Sequence, residues 1–296
     1  MNPTVAPTTE PSAVLRGIFW MILTGLLFTA LDAVAKYVSQ TYPVAQIVWA
    51  RFALQAVLLP VLLGHRLPQT LKTERFGLQM LRSFLVLAAT GVLFLALRYI
   101  PLADANAISF VNPLIVTALS VPLLKEHVEP RLWFGVAAGF LGALIIIRPG
   151  LGLMHPAAFL ALGSATLFAL YHLTTRMLSK TDAPMTTLLY TAILPGIATT
   201  ALMPFVWMPP DAKGWALFAF MGVANALSAY TLIKAFSAAP AAVVTPFGYF
   251  NLLWATILGF ILFGQLPDAW TVSGAALIVG SGLYILKRKA AGAGKG

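Results

Sequence analysis

Long apolar runs, interrupted at short intervals by proline, glycine or charge, dominate the chain from residue 15 to its basic end. A helix crossing the hydrocarbon layer needs about 20 mostly apolar residues, since it rises about 1.5 Å per residue across about 30 Å. Runs of that size lie near 15–35, 44–64, 76–97, 103–124 and 131–147, and again near 156–177, 184–206, 213–233, 239–263 and 269–286. Their separators are short and carry turn chemistry, as at Tyr42-Pro43, Ile100-Pro101, Glu129-Pro130, Arg148-Pro149-Gly150, Asp182-Ala183-Pro184 and Leu266-Pro267. The pattern predicts an all-α integral membrane protein with ten transmembrane helices and no soluble domain between them. The first run ends in Ala33-Val34-Ala35, which resembles a signal-peptide cleavage site, but its removal would leave an odd count and unequal halves.

Composition agrees with a lipid environment. Residues of the AVILMFWYC set make up 59% and charged residues 9%, where a soluble domain carries roughly 25% charged. The net charge of +10 then reads as topology rather than as nucleic-acid affinity. With the N-terminus inside, fourteen Lys or Arg fall on or near the cytoplasmic side, among them Arg16, Arg66, Arg82, Arg176, Lys234 and Lys287. Only Lys36, Arg98, Arg148 and Lys213 fall outside, and Arg51 lies within a span. The bias predicts a multi-pass protein of the cytoplasmic (inner) membrane with both termini cytoplasmic. Segment 1–14 reads as a disordered tail, 290–296 as a second tail, and Lys287–Lys289 needs no anion beyond lipid headgroups.

Catalytic and metal chemistry finds little footing. Cysteine is absent and the histidines (His65, His127, His155, His172) are scattered, so no metal site, disulfide or thiol nucleophile is expected. Neither GxxxxGK[ST] nor GxSxG occurs. No cofactor and no enzyme activity is expected. The expected partners are a small-molecule substrate and membrane lipids, with no nucleic acid, and monomer and homodimer stay equally open.

Offsetting the chain against itself by about 140 residues places Gly25, Phe28, Asp32 and Lys36 on Ala165, Phe168, His172 and Arg176. An offset of 139 places Pro101 on Pro240 and Asn112 on Asn251. Two repeats follow, 15–149 and 150–289, each with five spans. Because five is odd, the second copy enters the membrane the other way round. Such inverted-topology repeats are typical of secondary transporters, whose solute sits near the midplane between the halves.

The residues that carry this symmetry resemble the drug/metabolite transporter superfamily and its EamA-type carriers. Ala96-Leu97-Arg98-Tyr99-Ile100-Pro101-Leu102-Ala103 leads into the fourth span, which closes on Leu123-Leu124-Lys125-Glu126. Ala235-Phe236-Ser237-Ala238-Ala239-Pro240-Ala241-Ala242 and Leu262-Phe263-Gly264-Gln265 are their counterparts. The resemblance spans about 15–290 and departs where Gln265 stands in place of the family's frequent Glu. It implies a secondary active transporter working by alternating access. Aromatic amino acid exporters are the subgroup it most resembles, and amino acids with apolar side chains or similar metabolites are the expected cargo. A drug or nucleotide-sugar carrier of the same fold, or a channel or lipid scramblase, are the alternatives.

Charge inside a span costs on the order of 3 kcal/mol and asks for a reason. Asp32 reads as the one carboxylate well inside a span, either a proton- or amine-binding group or the partner of Lys36 or Arg51. Arg51 either holds a substrate carboxylate or holds Asp32. His172 is a packing residue or, with an ordinary pKa of about 6.5, a second proton-coupling group beside Asp32. Arg82 is expected to snorkel into solvent. Interruptions are expected at Asn112-Pro113, at Pro246-Phe247-Gly248 and, as a kink, at Pro195-Gly196. The remaining candidate cavity residues are Phe28, Tyr99, Phe168, Tyr171, Tyr230, Phe247, Asn251 and Trp254. The alternative for each aromatic is lipid-facing packing. Gly135, Gly139 and Gly142, with Ala276 and Gly280, predict close helix approach.

Overall fold

A computed structural model describes residues 11–124, 130–148 and 155–293. The chain runs through α1 (Pro11–Val38), α2 (Val44–Leu63), α3 (Phe76–Leu97), α4a (Leu102–Ser109), α4b (Asn112–Leu124) and α5 (Pro130–Ile147). It continues through α6 (Ala158–Leu178), α7 (Pro184–Val206), α8 (Ala212–Ala238), α9a (Ala241–Val244), α9b (Phe250–Phe263) and α10 (Ala269–Ala293). No strand occurs among the described residues. Eight helical stretches are long and apolar enough to cross a membrane, and shorter apolar helices cover Leu132–Ile147 and Ala269–Ile285. The helix starts at Pro11 and the end at Ala293 reach into both expected tails, so 11–14 and 290–293 are helical. The Lys125-Glu126 motif, residues 1–10 and the Pro149-Gly150 turn lie outside the described residues.

Local chemistry sets the ends. Pro43 and Pro101 precede α2 and α4a in extended backbone, with ψ of 140° and 146°. The Asp211 carboxylate accepts from the Gly214 N–H at 2.7 Å and caps α8. Gly264, at φ 65°, closes α9b in the left-handed region that glycine enters without a Cβ penalty. Between α4a and α4b the Phe110 and Val111 amides bond back three residues, to Ala107 and Ile108, and Pro113 has no N–H to continue the ladder. The same interruption recurs in the second half, where a 3₁₀ turn over Thr245–Tyr249 holds Pro246 and Gly248 between α9a and α9b. Both expected breaks are therefore present. The expected kink at Pro195 is not a break, because α7 runs through it and Gly196 seats against Ala56 of α2.

Element boundaries repeat along the chain. The ends of α1 and α6 (38 and 178) and the starts of α2 and α7 (44 and 184) are offset by 140 residues. The starts of α4a and α9a (102 and 241) and of α5 and α10 (130 and 269) are offset by 139. Packing obeys the same relation: α1 lies along α8 as α6 lies along α3, α1 meets α9b as α6 meets α4b, and α2–α7 and α5–α10 pair directly. Exchanging the halves maps this set onto itself, the signature of an isologous, two-fold interface.

The directly paired counterparts run in opposite directions. In α2 and α7, Gln46 exchanges hydrogen bonds with the Met208 backbone, Trp49 donates to Thr200 at 3.1 Å, and Ala56 meets Gly196. In α5 and α10, Gly135 faces Ile285, Gly142 faces Ile278 and Ile146 faces Gly274. A Cβ on Gly142 would stand 2.7 Å from the Gly274 carbonyl oxygen. The backbones meet there because neither residue has a side chain, as the small-residue spacing predicts.

Candidate functional site

Two lines of contact fix what lies beside α1. Gly25 abuts Asn251, where a Cβ would overlap Oδ1, and the Lys36 ammonium stands 5.4 Å from the Phe263 ring centroid. Positions 25 and 251 differ by 226, and 36 and 263 by 227, so α1 and α9b run parallel in near-constant register. That register sets Phe28 level with Trp254. Thr29 and Asp32 lie on the same face of α1 as Gly25.

Among the nine buried side-chain polar atoms without a partner in the described residues, three lie on this α1–α9b seam and two on the neighbouring α2 and α3. Thr29 Oγ1, Arg51 Nε, Thr90 Oγ1, Asn251 Oδ1 and Trp254 Nε1 are buried and accept or donate no hydrogen bond within the chain. They come from α1, α2, α3 and α9b. A buried polar atom without a partner costs roughly 1–3 kcal/mol, so this set makes the seam the candidate site. Arg51 is 8% exposed, lies 5.7 Å from the Phe94 ring centroid, and is within electrostatic reach of Asp32 and Tyr171. Arg148–Asp268 is the one ion pair among the described residues, so Asp32 and Arg51 are neighbours that do not close into a salt bridge. Asp32 itself is half-buried. Lys36 is not its partner either, because its ammonium donates to the Leu97 and Ile100 carbonyls at 2.9 and 2.5 Å and caps α3.

The second interior arginine behaves differently. Arg82 does not snorkel: it is 5% exposed and donates to Thr175 Oγ1 at 2.7 Å, the Thr187 carbonyl at 2.9 Å, Tyr171 Oη at 2.7 Å and Thr191 Oγ1. Its guanidinium stacks 4.4 Å from the Tyr171 ring centroid. The acceptors come from α6 and α7, which close over α3 before the side chain can reach solvent. Beyond it, Asp182 accepts from Gln79 at 2.7 Å and from the Thr73 hydroxyl, tying the α6–α7 turn to the foot of α3. Burial pushes the Asp182 carboxyl up, but these hydrogen bonds outweigh it and hold the group below its ordinary 3.8.

The structure thus brings Phe28, Asp32, Arg51, Asn251 and Trp254 to one seam, with Tyr171 reaching it from the Arg82 side. Phe168 packs edge-on to Tyr171 at 6.3 Å, and the exposed His172 sits 5.2 Å from the same ring. Four candidates lie elsewhere. Tyr99 is exposed and stacks on His155 at 4.8 Å. Tyr230 is 51% exposed beside Trp20 and under Lys234. Phe247 packs on the small cluster of Met21, Ala235, Ala239 and Val244. Asn112 is half-buried at the start of α4b. Asp104, which the sequence reading left out, is a second interior carboxylate, 6% exposed and accepting from Thr271 Oγ1 at 2.9 Å. Its place in the first turn of the fourth apolar run was the signal.

A bundle of apolar helices whose counterpart elements pair antiparallel is the architecture of a multi-pass membrane protein. The chain belongs to the EamA-like transporter family, whose model matches it twice, over residues 15–148 and 155–287. It is a multi-pass membrane transporter of small metabolites and not an enzyme. It is 32% identical to a riboflavin transporter of Vibrio cholerae, over 92% of this chain and 93% of that one. It is 27% identical to an S-adenosylmethionine uptake transporter of Rickettsia felis, over 92% of each. A pseudopaline exporter of Pseudomonas aeruginosa is 28% identical over 89% of this chain and 93% of that one. One crystal structure, 16% identical, shares the fold with a TM-score of 0.62 over 94% of this chain and 98% of that one.

Proposed function

We propose that the protein is a secondary carrier for small amphipathic metabolites bearing a flat aromatic or heteroaromatic ring, which it moves by alternating access. The observation that carries this reading is the row of unpartnered polar groups at Thr29, Arg51, Thr90, Asn251 and Trp254, set among aromatic side chains. Ring faces at Phe28 and Trp254 suit a planar solute, and scattered hydroxyl, amide and indole groups suit a neutral polar tail. A flavin with its polyol chain has that character, as the named riboflavin relatives would require. Aromatic amino acids are the second reading, and Asp32 and Arg51 favour it. Neighbours of opposite charge that do not pair offer one end each to a zwitterion. Nucleotide sugars fit poorly, because Arg82 is already saturated and Arg51 alone faces the seam.

The membrane topology belongs to the same reading. Twelve helical segments cross as ten spans, α4a with α4b and α9a with α9b each forming one interrupted span. Residues 15–149 and 150–289 are inverted copies, supported by the boundary offsets and the antiparallel counterparts. The excess of Lys and Arg puts both termini in the cytoplasm of an inner membrane, with the Lys36 end outside and the Arg82 end inside. Export is the expected direction, and Asp32 and His172 are the proposed proton-coupling groups.

Counterflow in proteoliposomes tests this. Radiolabelled riboflavin, tryptophan and S-adenosylmethionine, each with and without a pH gradient, would show saturable exchange for at least one ring-bearing solute. Flux that neither saturates nor exchanges would make the protein a channel, and lipid movement without solute exchange would make it a scramblase.

A further inference from the structure

A recess of about 470 Å³ opens at the Lys36 end, lined by Lys36, Tyr37, Arg98, Tyr99, Phe263 and Gln265 among others. Its volume suits a small metabolite, and among the described residues no carboxylate lines it. Lys36 is 5% exposed, and two of its three ammonium hydrogens are fixed by the Leu97 and Ile100 carbonyls, leaving one to give. Arg98 adds an exposed guanidinium. Gln265 Oε1 is buried with no protein partner, so its amide can turn either end to a ligand. The Phe263 ring forms a wall, and Tyr99 stacks on His155 with one face, leaving the other uncovered by that ring. Asp104, an interior carboxylate within electrostatic reach of Lys36, accepts from Thr271 Oγ1 and makes no ion pair with the ammonium.

We propose that this recess is a second solute site, selective for a small anion that carries an aromatic ring. Lys36 and Arg98 hold the carboxylate or phosphate, and Tyr99 and Phe263 flank the ring. Gln265 sets the sign: a neutral amide leaves the recess cationic, whereas a carboxylate of the same size would occupy the two cations itself. Lys36 is one turn along α1 from Asp32, about 6 Å nearer the end of the bundle. A solute held here therefore waits at the mouth of the seam. Its role in delivery rests on the transport reading above, but its binding does not.

The test is equilibrium binding of phenylacetate and phenyl phosphate to the full-length protein in phosphatidylcholine nanodiscs, with benzyl alcohol as the uncharged probe. Both anions should bind and benzyl alcohol should bind far more weakly. Gln265→Glu and Arg98→Gln should each weaken the anions at least about tenfold, while Arg66→Gln, a cation removed from the other end, leaves them unchanged. Failure of both anions to bind, or wild-type binding by Gln265→Glu, overturns the proposal. So does full loss of binding in phosphatidylglycerol nanodiscs, which would assign the cations to a lipid headgroup. Anion binding without any counterflow would sink the transport reading and leave this site standing.

Discussion

Two arginines enter the interior of this bundle and meet opposite surroundings. Arg82, on α3, has four acceptors from α6 and α7 and a tyrosine ring beneath it. Arg51, on α2, has aromatic rings, an unclosed neighbour in Asp32, and a buried Nε with no partner. A buried charge must be matched or it costs several kcal/mol. The protein matches one from within and leaves the other's Nε without a partner. Arg82 is thus a structural tie across three helices, and in the proposed reading Arg51 is the working cation.

Replacing each in turn is the sharpest way to break that contrast. Arg82→Gln strands hydroxyls and a carbonyl from two helices, α6 and α7, and should destabilise the folded protein by about 3 kcal/mol or more, read as a large drop in melting temperature in detergent. Gly25→Ala forces a methyl group into Asn251 Oδ1 and should cost about 1–3 kcal/mol, the range for overpacking. Asn251→Ala should restore most of that stability without restoring transport. Arg51→Gln should leave the melting temperature near wild type while reducing transport efficiency at least about tenfold, some 1.4 kcal/mol. If Arg51→Gln melted as early as Arg82→Gln, the division between tie and working cation would be wrong.

The smallest effect concerns acid. Asp182 is held below its ordinary 3.8 when folded, so its contribution is fully present above that value and fades as pH falls through the lower folded value. Melting followed down to about pH 3 should show the wild type losing stability that Asp182→Asn has already lost, bringing the two curves together. Curves that stay parallel would mean the Thr73 and Gln79 bonds contribute nothing to closing the Arg82 end.

Periodic features were legible in the sequence because they rest on apolar runs and backbone chemistry. The breaks at Asn112-Pro113 and Pro246-Gly248 and the glycines between α5 and α10 lie where proline and small residues put them. The Arg82 cage was not legible. Thr175, Thr187 and Thr191 look like ordinary span hydroxyls until α6 and α7 fold over α3, 93 to 109 residues away from Arg82 in sequence. Asp104 was missed for a related reason, since its partner Thr271 lies on α10. Tyr230 illustrates the converse: an aromatic in a span carries no mark of which way it faces.

Solute occupancy of the seam is open to direct measurement because the chain has no cysteine of its own. Asn251→Cys in proteoliposomes, in a variant shown to retain counterflow, would be labelled with a membrane-impermeant thiol reagent with and without saturating transported solute. The account predicts labelling from the aqueous phase that the solute slows at least about tenfold. A cysteine that reacts at the same rate with and without a solute the protein is transporting would place the cargo somewhere other than between α1, α2, α3 and α9b.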